Sequence, residues 1–382
     1  MRVAYVTTYN AQQIKSWGGG TAYFMAQEFQ EQGVGVDYIG PLTENRQLTG
    51  LKWRFYRHIL KQNYFLERNK RVAQDLANQV SKKLIATSAN AVLAPIPTPI
   101  CYLDCQQPIT LWADATFAGL VNFYPDFCNL SQESLKDGHN SEQAALDRCR
   151  VAIFSSDWAA KTAVEHYNLN PSKVKVVPYG ANLTGSHRDY DKIKNIVYTR
   201  PSNQCKLLLL GVDWVRKGGS LALDVAKMLN QAGLETTLTV VGCHPPSEQP
   251  IPSYVHSLGF IDKSTAAGTQ KINDLLAESH FLILPSRSDC TPMVFGEANS
   301  FALPCLTTDV GGIPTLIKND LNGKTFSLQS HAADYCDYIL SLFINFSRYQ
   351  ELALSSFQEY EARLNWSVAV KTVKQIMSDT MS

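Results

Sequence analysis

No apolar run in the 382 residues reaches the roughly eighteen that a membrane-spanning helix needs. Neither sign of charge dominates: 35 Lys and Arg stand against 34 Asp and Glu, a formal net charge of +1. A protein that binds nucleic acid along its surface is more basic than this, so nucleic acid is not an expected partner. The nine cysteines are odd in number and no two form C-x-x-C. In a chain of this length that pattern suggests reduced thiols and a cytoplasmic setting. Cys101 and Cys105 are spaced like two metal ligands, but no second pair or histidine cluster follows, so they read as packing residues and no metal is expected. There is no H-E-x-x-H, no G-x-G-x-x-G and no P-loop lysine, which removes three familiar metal- and nucleotide-binding signatures. Solenoid-length repeats and low-complexity tracts are also missing.

What is present is an ordinary globular composition, 45% hydrophobic and 18% charged, long enough for two domains with sizeable cores. The opening MRVAYVTTYN is too polar after its sixth residue for a signal peptide and reads as a first strand. Strand-length apolar runs then recur at 3–9, 34–40, 90–95, 109–114, 151–156 and 174–180, with helix-like segments such as 22–33, 69–86 and 157–167 between them. Strands alternating with helices predict parallel βαβ units. Residues 181–204 are polar and turn-rich and read as an interdomain linker. The alternation restarts with strands at 206–212, 236–242 and 280–286 and helices at 220–233 and 272–279. Residues 331–360 read as helical, RLNW (363–366) breaks the pattern, and 367–378 make a last helix. Two open α/β sheets in series predict a ligand site beyond the C-terminal strand ends, in the cleft between them.

Several segments at those strand ends carry chemistry. In GVDWVRKGG (211–219), Arg216 and Lys217 bring two cations to a strand-to-helix turn, and Gly218 and Gly219 let backbone approach a ligand. That suits a diphosphate; a solvated basic turn is the plainer alternative. In SDCTPMVFGEANS (288–300), Asp289 follows a strand and Glu297 sits in an apolar helix. A helix beginning near Pro292 aims its first amides at an anion, Glu297 accepts from ribose hydroxyls, and Asp289 from sugar hydroxyls. The alternative is a satisfied buried Glu beside a surface Asp. Gly18, Gly19 and Gly20 form a glycine turn between the first strand and first helix, either a phosphate-friendly turn or merely a flexible one. Asp114 closes the strand ITLWAD and either faces the cleft or helps cap the next helix near Thr116. Residues 52–71 hold seven Lys or Arg against one Glu, interleaved with Trp53, Phe55, Tyr56, Tyr64 and Phe65. Such a run meets anionic lipid or an acidic acceptor, or is simply a solvated helix face. Asp189 and Asp191 make the one Asp-x-Asp, but away from a strand end.

Taken in order, RKGG after the first strand of the second sheet, VVG, LGFID (258–262) and SDCTPMVFGEANSFALPCLTTDVGGIPTLIKNDLNG (288–323) resemble the donor half of glycosyltransferase family 4. VVPYGAN (176–182), the glycine turn and RLNW are also similar to it. The family's Glu, seven residues, Glu pattern appears with Asp289 for the first Glu and Glu297 for the second. The resemblance implies a GT-B fold: two Rossmann-like domains facing a central cleft, 1–185 with 366–382 for the acceptor and 195–365 for the donor. It implies retaining transfer of a hexose from a nucleotide diphosphate sugar, UDP-sugar ahead of GDP-sugar, to an acceptor, in polysaccharide or glycoconjugate biosynthesis, with no cofactor or metal. Carried over, Arg216 and Lys217 neutralise the leaving diphosphate together with the amides around Thr291, Pro292, Met293 and Val294. Glu297 holds the ribose, Asp289 the donor sugar, and Gly18–Gly20 approach the phosphates. Asp114 stands where many relatives carry a histidine. A non-catalytic nucleotide-sugar-binding relative, or a partner subunit, is the second reading; the intact Arg216, Lys217 and Glu297 argue against it. A nicotinamide oxidoreductase, the third, lacks its fingerprint.

Overall fold

The computed structural model describes residues 1–15, 20–44, 50–183, 188–246 and 250–381. The chain divides into two compact units, Met1–Pro178 with Ala369–Ser382, and Tyr179–Val368.

The first unit is built on strands β1 (Arg2–Val6), β2 (Gly35–Ile39), β3 (Ala91–Ala94), β4 (Ile109–Ala113), β5 (Cys149–Phe154) and β6 (Val174–Val176). All pair in parallel, in the order β2-β1-β3-β4-β5-β6. A parallel sheet is covered on both faces, which explains why β3 and β4 are buried at every position and read as unbroken apolar runs. The final helix, Trp366–Met381, belongs to this unit from Ala369 on. There it buries Ala369, Val370, Val373 and Met377, spaced as one helical face, and Lys374 donates to the Gln32 carbonyl at 2.9 Å.

The second unit carries β7 (Gln204–Leu210), β8 (Glu235–Val241), β9 (Val255–Gly259), β10 (Phe281–Leu284), β11 (Cys305–Thr308) and β12 (Gly323–Phe326). They are again all parallel, ordered β12-β11-β10-β7-β8-β9. From β7 the chain winds outward one way to β9, then crosses back to β10 and winds the other way. The strand order therefore reverses between β7 and β10, and in an open parallel sheet that reversal opens a crevice at the carboxyl ends. The core gathers on Leu207–Leu209 and Phe281–Leu284, with helix Gly219–Gln231 contributing Ala222, Val225, Ala226 and Leu229.

Two expectations need correction. Residues 181–204 are not a linker: they belong to the second unit and contain the helix Tyr190–Thr199, which buries Ile193 and Val197. Its polarity misled because the Asp189 carboxylate caps the helix, accepting from the Asp191 and Lys192 amides at 2.9 and 3.4 Å. That cap is the role of the Asp-x-Asp. Strands β9, β11 and β12 also went unread. β9 and β12 are sheet edges, and β9 leaves His256 and Leu258 exposed, so no continuous apolar run marks it.

Candidate donor site

In the second unit, the turn after β7 and the turn after β10 meet at the strand-order reversal. Gly218 begins the helix Gly219–Gln231 with φ of 73°, and a Cβ there would lie 2.1 Å from the Pro285 carbonyl oxygen. Only glycine lets these two turns approach so closely. Across the approach the Arg287 amide donates to the Arg216 carbonyl at 2.7 Å.

This brings Arg216, Lys217 and Asp289 together. The Lys217 ammonium donates to Asp289 Oδ2, which also accepts from Ser286 Oγ at 3.1 Å and lies 3.6 Å from Arg216 Nη1. Arg216 Nη1 donates to the Ser288 carbonyl at 3.0 Å, and Asp213 accepts from the Arg216 amide at 3.0 Å. Lys217 and Asp289 are both buried. Two adjacent cations with little water need counter-charge, and Asp289 supplies it. Sequence reading treated Asp289 as a sugar contact alone. Its Oδ2 is instead committed to the cations, while Oδ1 has no partner among the described residues. Asp213 and Ser286 were not singled out from sequence, although both neighbour residues that were.

Helix Met293–Asn299 starts one residue past Pro292, and no side chain caps it. Thr291, Met293 and Val294 are half-buried and Pro292 is buried. Glu297, 4% exposed, faces Lys263, whose Nζ lies 2.6 Å from Oε1. Lys263 follows the LGFID stretch and also escaped the sequence reading.

The remaining expected residues belong to the first unit. Gly18 and Gly19 lie outside the described residues. Gly20 begins the helix Thr21–Glu31 with φ of 93°. Asp114 immediately follows β4 and neighbours Tyr9, whose phenol pKa is pushed well up, first by burial and then by the Asp114 charge. Thr116 caps the next helix, its hydroxyl accepting from the Gly119 amide at 3.1 Å.

The basic run 52–71 splits in two. The helical turn Gly50–Arg54 continues as the wider turn Phe55–Ile59, and neither buries a residue. One side is pinned: Lys52 pairs with Glu133 at 2.7 Å, Tyr64 donates to Glu133 at 3.2 Å, and Tyr56 stacks on Tyr64 at 4.9 Å. The other side exposes Leu51, Phe55 and Ile59. Residues 62–68 sink into the unit: Tyr64 is buried, and Arg68 pairs with the fully buried Glu142 at 2.9 Å and covers the Phe117 ring at 4.8 Å.

Cys101 donates its thiol to the Thr98 carbonyl and Cys105 to that of Gln107. Among the described residues no group of three His, Cys, Asp or Glu is arranged to hold a metal, and no helix is long and apolar enough to cross a membrane.

Two parallel six-stranded sheets wound this way define a GT-B fold, and solved GT-B structures match it across its length. A glycosyltransferase from Rickettsia africae covers 100% of this chain and 98% of its own, with a TM-score of 0.66 at 15% identity. Anabaena Alr3699/HepE in complex with UDP-glucose covers 100% and 99%, with a TM-score of 0.62 at 15% identity. Residues 204–345 match the model of the family described as Glycosyl transferases group 1. The Escherichia coli UDP-Gal:alpha-D-GlcNAc-diphosphoundecaprenol alpha-1,3-galactosyltransferase is 22% identical over 170 residues, 43% of this chain. The chain spans 44% of that relative's length.

Proposed function

We propose that this protein is a retaining, metal-independent glycosyltransferase of family 4. It moves a hexose from a nucleotide diphosphate sugar to an acceptor in polysaccharide or glycoconjugate assembly. The observation that carries the reading is the meeting of Arg216, Lys217 and Asp289 at the strand-order reversal of the second sheet. Breaking the sugar–phosphate bond builds negative charge on the departing diphosphate oxygens. Lys217 keeps N–H donors beyond the one given to Asp289, and with Arg216 it stabilises that charge more in the transition state than in the ground state. Asp289 Oδ1 accepts from a donor-sugar hydroxyl, Glu297 from the ribose, and the amides of Met293 and Val294 assist at the phosphates.

A UDP-sugar is the favoured donor ahead of a GDP-sugar. The UDP-glucose complex of Alr3699/HepE and the UDP-Gal specificity in the name of the Escherichia coli relative support that order. The protein is cytoplasmic and meets the membrane peripherally. The contact is the exposed side of Gly50–Ile59, supported by its apolar residues among Arg54, Arg57 and Lys61.

Calorimetry with UDP-, GDP- and ADP-sugars in the presence of EDTA tests the reading. One of them is expected to bind and to turn over without added metal. Absence of binding by all three rejects it.

A further inference from the structure

Glu297 presents a physical question that the proposed reaction does not answer. A carboxylate 4% exposed inside a mostly apolar helix needs polar partners to offset its loss of water. Lys263 supplies one from a different element: its Nζ is 2.6 Å from Glu297 Oε1. Oε2 has no partner among the described residues. The pair thus leaves one oxygen occupied and the other available.

The backbone that delivers Lys263 is held firmly. Asp262 Oδ1 accepts from the Ser264 amide and hydroxyl at 2.9 and 2.6 Å. Thr269 Oγ1 donates to the Lys263 carbonyl at 2.8 Å, and Thr265 caps the following helix, accepting from the Gly268 amide at 3.1 Å. The Lys263 side chain is 38% exposed, far more open than its partner. It is a cation brought to a carboxylate from the solvent side by a braced loop.

We propose that Lys263 is a positioning residue for nucleotide recognition. Its ammonium holds the Glu297 carboxylate in one orientation, so that Oε2 accepts from a ribose hydroxyl of the donor. The inference rests on the proposed ribose role of Glu297. It adds a requirement: discrimination between ribose and 2′-deoxyribose depends on residue 263, which itself need not touch the sugar.

The test is calorimetry on the full chain. Whichever of UDP, GDP and ADP the wild type binds is compared with its 2′-deoxy counterpart in wild type, Lys263→Met and Lys263→Arg. The wild type is expected to favour the ribonucleotide about tenfold or more. Lys263→Met is expected to bind it at least about tenfold more weakly and to lose most of that preference, while Lys263→Arg restores both. A role confined to holding the loop and helix together lowers the melting temperature but leaves the ribose preference intact, and that result overturns the inference. Should Lys263→Met fail to fold, Lys263→Gln, which keeps a donor without the charge, must show the same direction of loss. If the wild type binds none of the three nucleotides, the proposed function falls and this inference with it. If it binds one with ribose preference and the variants keep that preference, Lys263 alone loses its role.

Discussion

At the residue scale, the donor site turns on a difference of one methylene. Asp289 stands where the resembled family usually has Glu, and its shorter reach fits its bond to Lys217. The same carboxylate therefore neutralises the buried cations and, in the proposed reaction, offers its other oxygen to a sugar. These two duties separate experimentally. Lys217→Ala is expected to cut turnover at least tenfold, about 1.4 kcal/mol or more of transition-state stabilisation. It is also expected to lower stability by about 1–3 kcal/mol, because Asp289 loses its nearest partner. Adding Asp289→Asn to that variant removes the stranded charge, so denaturant melts should recover while turnover does not. Wild-type rates in Lys217→Ala reject the catalytic assignment. Arg216, Lys217 and Glu297 were legible in the sequence because charged residues stood beside glycines or inside an apolar helix. Lys263 was not, since an exposed-looking lysine after a strand carries no pattern until its partner, 34 residues on, is seen beside it.

At the element scale, strands were legible as apolar runs, as in β3, β4, β7 and β10 and even the first sheet's edges β2 and β6, whereas the second sheet's edges β9 and β12 and the short buried β11 were not. The basic segment 52–71 shows the limit of reading charge along a line. Its composition is uniform, yet residues 62–68 enter the body of the unit, with Arg68 on Glu142, while Gly50–Ile59 stays outside. The exposed Leu51, Phe55 and Ile59 recur every four residues and share one side, flanked by Arg54 and Arg57. Vesicles containing phosphatidylglycerol are expected to sediment the wild type, and those of phosphatidylcholine alone are not. Phe55→Ser with Ile59→Ser should weaken that association about tenfold or more, and salt should weaken it further. Equal sedimentation by both vesicle types, or by the double variant, removes the proposed membrane contact.

At the scale of the whole molecule, each unit closes its own core around its own parallel sheet, and the second is also tied by a polar network. His280, fully buried, accepts the Lys206 amide at Nδ1 and faces the Pro201 carbonyl at Nε2 across 2.8 Å, so its proton sits on Nε2. Arg200 ties Ala302, Phe301 and Tyr349 to the same region. Burial pushes the His280 pKa down from 6.5 to about 4. The unfolded chain then binds the extra proton first, so stability falls as pH drops through that window. The loss is on the order of 3 kcal/mol once the pH is below 4. Urea unfolding at several pH values is expected to show this slope in the wild type and a shallower one in His280→Asn; identical slopes count against it. The sequence by itself determined the alternation of strand and helix, and hence two parallel sheets, because burial on both faces writes itself as local apolar runs. It also determined which charged residues stand at strand ends. Only the tertiary structure decided that β7 and β10 are neighbours, that Asp289 closes on Lys217 and that Lys263 meets Glu297. Those pairings join residues far apart in the chain, and their energy depends on distance in space and exclusion of water, neither of which a linear pattern encodes.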